Sequence, residues 1–428
     1  MMIEISQVDK TKSVENQTIA LKAMLEYLSN HSPYYRNVFM NDGIDISAIH
    51  TIHDLTKLPL TSKDDLQNHN WDFLCVEKNK IADYCTTSGT LGLPVTIALT
   101  AKDLDRLALN EYYSLLSIGA TSSDIFQFML TLDRQFMAGI AYYSGVRKLG
   151  AGLVRVGPGN AAMQLDAIAR FHPTVLIAVP SFLVSVIKAS KEKHFDLNAS
   201  SVRKVLCIGE NIRNEDFSLN TLGSRIRQDW NVELYSTYAS TEQQTAFTEC
   251  GHGKGGHHLE DLIIFEVLDD NNKQVDAGMP GELVITTLGV EGMPLLRYKT
   301  GDICKYHTEV CQCGKATSRL SPIIGRKQQM IKYNGTTLYP QNIFNVLNNL
   351  ESIEDYVIVL SKNELGTDDL QIDIVMSDPN VNETTGISKL LQSALRISPA
   401  LRISTIAEVH KIQMKGEKRK ANKFLDLR

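Results

Sequence analysis

The sequence predicts an α/β protein with a large N-terminal domain, built from parallel-sheet β-α-β subdomains plus an antiparallel β subdomain, and a small α+β C-terminal domain. Residues 100–235 alternate between short apolar runs and helical segments of roughly 10–15 residues, a pattern typical of a largely parallel sheet. Around 269–272 a turn signal separates two strand-like runs, which indicates antiparallel pairing. A final segment with its own strands and helices begins after a boundary at 324–330.

The composition excludes several classes of function. A chain of 428 residues, 43% hydrophobic and 22% charged, is typical of a soluble globular protein with two or three domains. Its net charge of −5 argues against nucleic acid as the main partner. The longest apolar runs are too short to cross a bilayer, and residues 1–15 lack the apolar core of a signal peptide. Seven scattered cysteines make no disulfide framework, so we expect a cytoplasmic protein without a membrane partner.

The spacing of apolar residues predicts each element in turn. Residues 17–28 have helical periodicity, and a short helix follows a cap at Thr61 or Ser62. Later apolar positions such as Leu104 and Leu107 recur at helical spacing, whereas short apolar runs predict strands. The other predicted helices cover residues 101–118, 139–149, 161–171, 181–189, 342–350 and 387–395. The predicted strands cover residues 125–132, 152–156, 174–179, 204–208, 231–234, 262–268, 282–287, 356–360 and 370–375.

A hydroxyl-rich stretch precedes the alternating region. Glycines let the backbone approach a ligand, and successive N–H groups with hydroxyls can cradle phosphate oxygens. No Gly-Lys-Ser/Thr ends the stretch, so it is not a Walker A loop. The residues alone leave two interpretations open, a polar hairpin turn and a phosphate loop. The hydroxyl and glycine positions are Thr86, Thr87, Ser88, Gly89, Thr90 and Gly92.

Loops at the ends of predicted strands are further candidate ligand sites. In largely parallel sheets, ligands bind beyond the carboxyl ends of the strands. The segments at 157–160, 180–181, 209–211 and 235–242 all follow predicted strands. We therefore expect functional residues in these four loops.

Four separated motifs together resemble the adenylate-forming superfamily, which contains the acyl-CoA synthetases. Residues 86–94 are similar to its phosphate loop, 238–242 to its Tyr-Gly-x-Ser/Thr-Glu motif, 297–302 to its Tyr-x-Thr-Gly-Asp motif and 325–335 to its hinge motif. Their order also matches. The resemblance implies an N-terminal adenylation domain at 1–324, a hinge at 325–330 and a mobile C-terminal domain at 331–428. Further segments resemble the phenylacetate-CoA ligase branch over nearly the whole chain, namely 33–36, 58–66, 249–250, 311–314 and 419–428.

The resemblance implies a two-step reaction with ATP, Mg²⁺ and coenzyme A. A carboxylate attacks the α-phosphorus of ATP to give an acyl-adenylate and pyrophosphate, and a thiol then displaces AMP. Glu242 would bind Mg²⁺, Thr241 would contact the α-phosphate, and the loop at 86–92 would hold the β- and γ-phosphates. Asp302 would accept hydrogen bonds from the ribose, with Arg326 nearby. The other positions implied at the nucleotide are Gly209, Glu210, Asn211, Tyr238 and Lys332.

Lys420 is the lysine that the resemblance implies as catalytic. Its ammonium group would neutralise charge as pyrophosphate leaves. The alternative is a solvated basic tail, because many cations crowd this segment. The match of Lys420-Ala421 to the family's Lys-Ala ending favours Lys420 over Lys415, Lys418 and Lys423.

A second candidate site consists of Cys250, His257, Cys311 and Cys313. Three thiolates and one imidazole are a common tetrahedral zinc set, and four protein ligands leave no open position for catalysis. The resemblance places a Cys and a His before a Cys-x-Cys-Gly and favours His257 over His258. The sequence thus predicts structural zinc, with free buried thiols beside surface histidines as the alternative.

The acid and its acceptor are less determined. The acid pocket is expected between 125–140 and 235–242, where large side chains would suit an aromatic or aryl-acetic acid, although such side chains also form ordinary cores. One hypothesis is an acid–CoA ligase, and another is adenylation with transfer to a carrier-protein thiol or an amine. The third is a zinc-bearing adenylate-binding protein without turnover. The resemblance also suggests a homodimer. The large side chains are Phe126, Phe128, Phe136, Met137, Tyr142 and Tyr143.

This chain departs from the family pattern at several motif positions. Leu93 stands where many relatives carry a basic residue, and Gln328-Gln329 replaces an acidic pair in the hinge. Ala239 and Arg419 each replace a glycine. We expect another cation, with Lys420 the first candidate, to offset the missing charge at position 93.

Overall fold

The computed structural model describes residues 10–87, 95–333, 336–363, 368–378, 384–414 and 422–428. The chain divides into two compact units. The first contains residues up to Thr300 together with Cys304–Ile323, and the second contains Gly301–Ile303 and Ile324–Arg428. The roles assigned to 1–324, 325–330 and 331–428 as adenylation domain, hinge and mobile domain stay predictions.

The first unit begins with helices and then alternates strands with helices. Short 3-10 helices at Ile46–Ala48, Ile52–Lys57, Asn70–Phe73 and Lys78–Lys80 link its early segments. Its α-helices are α1 (Lys10–His31), α2 (Pro33–Asn41), α3 (Lys63–Asn68), α4 (Ala101–Ser117), α5 (Met137–Leu149), α6 (Ala161–Phe171), α7 (Pro180–Glu192) and α8 (Thr221–Asp229). Its strands are β1 (Ile81–Thr86), β2 (Thr96–Thr100), β3 (Ile125–Phe128), β4 (Gly152–Arg155), β5 (Val175–Ala178), β6 (Lys204–Cys207), β7 (Glu233–Ser240), β8 (Thr245–Thr248), β9 (Ile263–Leu268), β10 (Gly281–Thr287), β11 (Tyr298–Cys304), β12 (Tyr306–His307) and β13 (Arg319–Leu320).

A six-stranded sheet in the order β4-β3-β5-β6-β7-β8 is the centre of this unit. Every neighbouring pair is parallel except β7 with β8. Side chains of β5 alternate between two cores: Leu176 packs in the core that contains α6 and α7, and Ile177 packs in the core that contains α4 and α5. Burial on both faces explains why β5 is apolar throughout. The predicted parallel sheet is confirmed.

The antiparallel part is also confirmed. Strand β10 pairs antiparallel with β9, with Glu282 opposite Leu268 and Thr287 opposite Ile263. Between them, the Asp269 carboxylate accepts hydrogen bonds from the backbone N–H groups of Asn271 and Lys273, 2.8 Å each. This Asx-type turn explains why the Asp-Asp-Asn-Asn run ends one strand and starts the return.

The second unit is a small α+β fold. Its four-stranded sheet has the order β19-β18-β17-β20, in which the central β17–β18 pair is antiparallel and the outer pairs are parallel. A core with Ile358 and Ile372 fully buried lies against α9 and α10. The strands are β14 (Gly325–Arg326), β15 (Ile331–Tyr333), β16 (Thr336–Leu338), β17 (Ile353–Lys362), β18 (Asp368–Met376), β19 (Ala400–Ile403) and β20 (Phe424–Asp426). The helices are α9 (Pro340–Leu347), α10 (Thr384–Leu395) and α11 (Ile406–Gln413), and a 3-10 turn covers Lys327–Gln329.

Three local predictions need correction or refinement. The strand predicted at 125–132 ends at Phe128, which is the last residue of β3 with register partners, Arg155 in β4 and Ile177 in β5. Helix α8 was not predicted, since few of its residues are apolar. Ser62, not Thr61, caps α3, accepting a hydrogen bond from the N–H of residue 65 at 3.1 Å.

Among the described residues, none of the helices combines the length and the apolar character that crossing a bilayer requires.

Candidate functional site

The first residues of the hydroxyl-rich stretch, Thr86 and Thr87, lie at the end of the β1–β2 hairpin. Thr86 lies opposite Thr96 in the register, and the Thr87 N–H donates to the Val95 carbonyl at 3.0 Å. The Thr87 hydroxyl in turn accepts a hydrogen bond from the Val95 N–H at 3.1 Å. These two hydrogen bonds close the hairpin stem at Thr87 and Val95. The predicted phosphate-loop residues Ser88, Gly89, Thr90 and Gly92, and Leu93 with them, lie outside the described residues.

Gln135 is a neighbour of this loop that the sequence analysis missed. Its backbone carbonyl accepts from the Thr86 N–H at 3.1 Å, and its side-chain oxygen accepts from the Thr86 hydroxyl at 3.1 Å. Arg134 and Gln135 both have left-handed backbone, with φ of 59° and 56°. Non-glycine residues rarely adopt this conformation, and it clusters at functional sites. The polar Asp-Arg-Gln run after an apolar strand was the available signal.

Thr241 and Glu242 follow strand β7 in a tight turn. The Tyr298 hydroxyl donates to Glu242 Oε1 at 3.5 Å, a long contact that brings two of the four motifs together. Tyr298 is 1% exposed, whereas Glu242 and Thr241 are half-buried. Tyr238, near the end of β7, has its ring centroid 6.2 Å from that of Phe247. The predicted metal ligand therefore lies at a sheet edge with a fixed aromatic neighbour.

A buried ion pair holds the Tyr298 segment in place. Arg297 Nε and Nη2 each lie 2.9 Å from the Glu266 carboxylate, and Nη1 donates to the Leu58 carbonyl at 2.7 Å. Arg297 is 3% exposed and has a φ of 44°. Bidentate Arg–carboxylate pairs are geometrically specific. Because Arg297 directly precedes Tyr298, this pair fixes the backbone from which the Tyr298 side chain extends.

The residues after β6 have structural partners. Gly209 has a φ of 75°, which favours glycine. The Glu210 carboxylate accepts from both the N–H and the hydroxyl of Ser181, each at 2.8 Å, and so caps α7. Asn211 Nδ2 donates to the Ile323 carbonyl at 2.7 Å. The predicted role of these three positions at the adenine stays a prediction.

Three predicted residues lie in the second unit. Asp302 lies in the part of β11, Gly301–Ile303, that belongs to the second unit, and it is the register partner of Arg326 in β14. Arg326 Nε lies 3.3 Å from Asp302 Oδ1. Asp302 is 6% exposed, so its carboxylate is oriented by this pair. Lys332 uses its backbone N–H, which donates to Asp368 Oδ2 at 2.8 Å, while its side chain is exposed. Lys420 lies outside the described residues.

The four predicted zinc ligands converge. Their ligand atoms all lie within 4.8 Å of one another, although the residues come from segments far apart in the chain. Cys250 Sγ is 3.7 Å from Cys311 Sγ, and Cys313 Sγ is 3.5 Å from His257 Nε2. A tetrahedron with Zn–S bonds of about 2.3 Å places its sulfurs about 3.8 Å apart. The donor set and its spacing therefore fit one tetrahedral zinc ion.

The surroundings of this cluster suit a metal. Burial lowers the pKa of His257 to about 3, with Lys315 and Arg319 adding to the effect, so the imidazole is neutral and able to ligate. Its Nδ1 lies 3.2 Å from the Thr317 hydroxyl, which orients the ring. Burial raises the pKa of the Cys250 thiol to about 12, a proton that a bound zinc would displace. Thr317 and Lys315 were not predicted, although both follow Cys313 closely.

The aromatic side chains proposed for the acid pocket are mostly core. Phe126 and Phe128 of β3 are fully buried and Tyr142 of α5 is 2% exposed, and all three belong to the core between the six-stranded sheet and helices α4 and α5. Phe136 is 37% exposed at the start of α5. For the three buried residues, this burial favours the ordinary-core interpretation.

Comparisons with known proteins agree with these motifs. A family model described as AMP-binding enzyme matches residues 41–292, more than half of the chain. Phenylacetate-coenzyme A ligase of Thermus thermophilus is 26% identical over 385 residues, which cover 89% of this chain and 85% of that enzyme. The enzyme of the same name from Aromatoleum evansii is 26% identical over 346 residues, covering 80% and 76%.

A solved structure shares the fold. A 2-hydroxyisobutyryl-CoA ligase, crystallised in the postadenylation state with an acyl-AMP, matches with a TM-score of 0.85 and 20% identity, covering 99% of this chain and 91% of that one. The predicted fold class is confirmed. The four ordered motifs, the fold and the family match together show that this chain belongs to the AMP-binding enzyme family.

Proposed function

We propose that the protein activates a carboxylic acid with ATP to form an acyl-adenylate and pyrophosphate, and then transfers the acyl group to coenzyme A with release of AMP. The observation that carries the proposal is the contact of Tyr298 with Glu242, which joins two family motifs at the carboxyl end of a parallel sheet. Family membership and the phenylacetate-CoA ligase relatives support the same reaction.

The residues have separate roles in the first step. Glu242 would hold Mg²⁺, a cation that prefers oxygen ligands and neutralises phosphate charge when bound. Thr241 would donate a hydrogen bond to the α-phosphate, and the loop that begins at Thr86 and Thr87 would hold the β- and γ-phosphates. Asp302, oriented by Arg326, would accept hydrogen bonds from the ribose hydroxyls. Lys420 would offset the charge of the leaving pyrophosphate.

The acid is proposed to be aromatic or aryl-acetic. The names of the relatives support this class, whereas the buried Phe126 and Phe128 do not contribute to it. Phe136 and Tyr143 remain available, since Phe136 is 37% exposed and Tyr143 is half-buried. Phenylacetate is accordingly the first acid to test, with benzoate and a short 2-hydroxy acid as comparisons.

The decisive experiment is an acid panel. Pyrophosphate release is measured with ATP and each acid, first alone and then with coenzyme A. We expect release that depends on an aryl-acetic acid, and acyl-CoA only when coenzyme A is present. The acid could be adenylated while coenzyme A does not react and a carrier protein or an amine is acylated instead. That protein or amine would then be the acceptor in place of coenzyme A. No pyrophosphate with any acid would favour an adenylate-binding protein without turnover.

We also propose structural zinc at Cys250, His257, Cys311 and Cys313, supported by the tetrahedral spacing of their ligand atoms.

All seven cysteines are free of disulfides, which supports a cytoplasmic location. A homodimer is expected from the family resemblance, and sedimentation velocity of the purified protein tests it.

A further inference from the structure

A cavity of about 440 Å³ lies within the second unit and is lined mainly by cations. Its volume is in the range of small-molecule sites, roughly 300–1,000 Å³. The cavity begins at the segment that follows Arg326, and β17, β18 and the C-terminal residue complete its wall. The lining residues are Lys327, Gln328, Met330, Lys332, Lys362, Asp368 and Arg428.

Arg428 joins several segments of the cavity wall by hydrogen bonds. Its Nη1 donates to the Met330 carbonyl at 2.8 Å and to Asp368 Oδ2 at 3.1 Å. Its Nη2 donates to the Gln328 carbonyl at 3.0 Å and to Asp426 Oδ2 at 2.6 Å, and its Nε donates to Asp426 Oδ1 at 3.0 Å. These bonds use all of the donors that a guanidinium group offers. Arg428 therefore holds the wall in place. Its N–H groups are all used in this way, so it can act on a ligand only through its charge.

The lysines supply the donors. Lys362 Nζ donates to Asp368 Oδ1 at 2.6 Å, which leaves two of its three N–H groups for another acceptor. Lys332 extends an exposed side chain from β15, and half-buried Lys327 lies on the 3-10 turn. Counting four cationic residues against the Asp368 and Asp426 carboxylates gives a net charge of +2. The side chains of the cavity therefore carry a net positive charge, and Lys362 has N–H groups left for a ligand.

We propose that this cavity binds a phosphate group of two or more negative charges. Lysine ammonium groups bind phosphate as mobile point charges, and the positively charged lining suits an anionic ligand. The inference rests on the proposed function for the source of the phosphate. That source is either coenzyme A, through its 3′-phosphate, or the pyrophosphate that the first step releases.

Direct titration tests the cavity without catalysis. The full chain is titrated by calorimetry at low salt with inorganic pyrophosphate and with adenosine 3′,5′-bisphosphate, and adenosine serves as the uncharged control. In the double variant Lys327→Gln/Lys362→Gln, we expect the affinity for at least one of the two anions to fall by about tenfold or more, because two charge-assisted contacts are lost. Lys332 is left unchanged, since it is a predicted nucleotide-binding residue.

Matched variants separate charge from folding. Lys389→Gln/Lys411→Gln removes two exposed lysines elsewhere in the second unit and should leave the affinity unchanged. Lys327→Arg/Lys362→Arg keeps both charges and should retain most of the binding. Equal affinities in the cavity variant and in the Lys389/Lys411 control would overturn the proposal.

Kinetics identify the source of the phosphate. If the cavity holds the 3′-phosphate of coenzyme A, the double variant raises the KM for coenzyme A but not for dephospho-coenzyme A. If it holds the ATP-derived phosphates, the variant instead raises the KM for pyrophosphate in ATP–pyrophosphate exchange. Should no acid be activated at all, the proposed function fails while the titrations still decide whether the cavity binds phosphate.

Discussion

At the scale of single residues, Glu111 is an acid that the proposed reaction does not use. It lies in α4, fully enclosed, with Oε1 3.0 Å from Asn110 Nδ2 and Oε2 without a partner among the described residues. Burial raises the pKa of Glu111 to about 8, whereas the Asn110 hydrogen bond and the nearby Ser114 hydroxyl act to lower this pKa. The carboxyl group is therefore protonated and neutral at neutral pH.

This proton makes stability depend on pH. From the ordinary pKa of 4.5 up to about 8, the folded protein keeps a proton that the unfolded chain releases. The free energy of unfolding should therefore fall as pH rises through this window, by up to about 1.4 kcal/mol per pH unit, while below it the contribution is complete. Glu111→Gln keeps a neutral side chain and should remove this dependence.

Thermal unfolding of both proteins from pH 5 to pH 8.5 measures the effect. The Tm of Glu111→Gln minus that of the parent should increase with pH. Glu192→Gln, at an exposed position on α7, is the matched control and should give a constant difference. Parallel curves for Glu111→Gln would show that this carboxyl does not titrate in the window.

Lys420 is the residue proposed to offset the charge of the leaving pyrophosphate. Lys420→Ala should lower ATP–pyrophosphate exchange by about 100-fold or more, because a charge directed at the transition state is removed. AMP affinity should change less than about twofold, since the lost contact is made to the departing pyrophosphate. Lys415→Ala is the control from the same basic tail. Normal exchange in Lys420→Ala would remove the residue from the reaction.

At the scale of elements, the proposed zinc ion would join two segments, one after β8 and one between β12 and β13. Next to the cluster, Arg213 Nε contacts Glu249 Oε1 at 2.7 Å, and Glu249 directly precedes Cys250. Gly253 turns close to Arg213, where a Cβ would collide with the guanidinium. These contacts fix one segment by itself. Two backbone hydrogen bonds between Gly256 and Leu320, 2.8 and 2.9 Å long, already join it to β13, and the metal would add a connection at Cys311 and Cys313.

Removing one ligand should break that connection. Cys311→Ser should lose the zinc, about one ion per chain in the parent, and lower the Tm by about 5 °C or more. Cys75→Ser changes another buried cysteine and should keep the zinc. Elemental analysis with a chelator-dependent melting curve measures both quantities. Equal zinc content in the two variants would contradict the site, whatever their stability.

At the scale of the whole molecule, the resemblance implies that the C-terminal domain changes position between the two half-reactions. Gln328 stands in a 3-10 turn, Lys327–Gln329, where family members carry an acidic pair. Proline fixes φ near −65°, a value compatible with a 3-10 turn. Gln328→Pro should therefore hold this backbone in one conformation.

The two half-reactions should then separate. Pyrophosphate exchange measures the rate of adenylation, and a preformed acyl-adenylate gives the rate of thioester formation. One of these two rates should fall by about tenfold or more, while the other changes little. Gln328→Ala, which keeps the backbone free, is the control. An equal loss in both half-reactions would argue against a hinge at this residue.

The sequence by itself determined the family, the fold class and most elements, because motif order and the periodicity of apolar residues are local properties of the chain. Residues 161–171, for example, are helical as predicted. It also named the four cysteine and histidine positions that converge. It left open whether Phe126 and Phe128 form a pocket or a core, because both patterns use the same residues.

Only the tertiary structure decided the contacts between distant segments. Tyr298 reaches Glu242, Arg297 pairs with Glu266, and Arg428 gathers the carbonyls of Gln328 and Met330. None of these pairs has a fixed sequence spacing, so periodicity carries no information about them. They depend on which strands become neighbours, and that is set by the burial of the whole core.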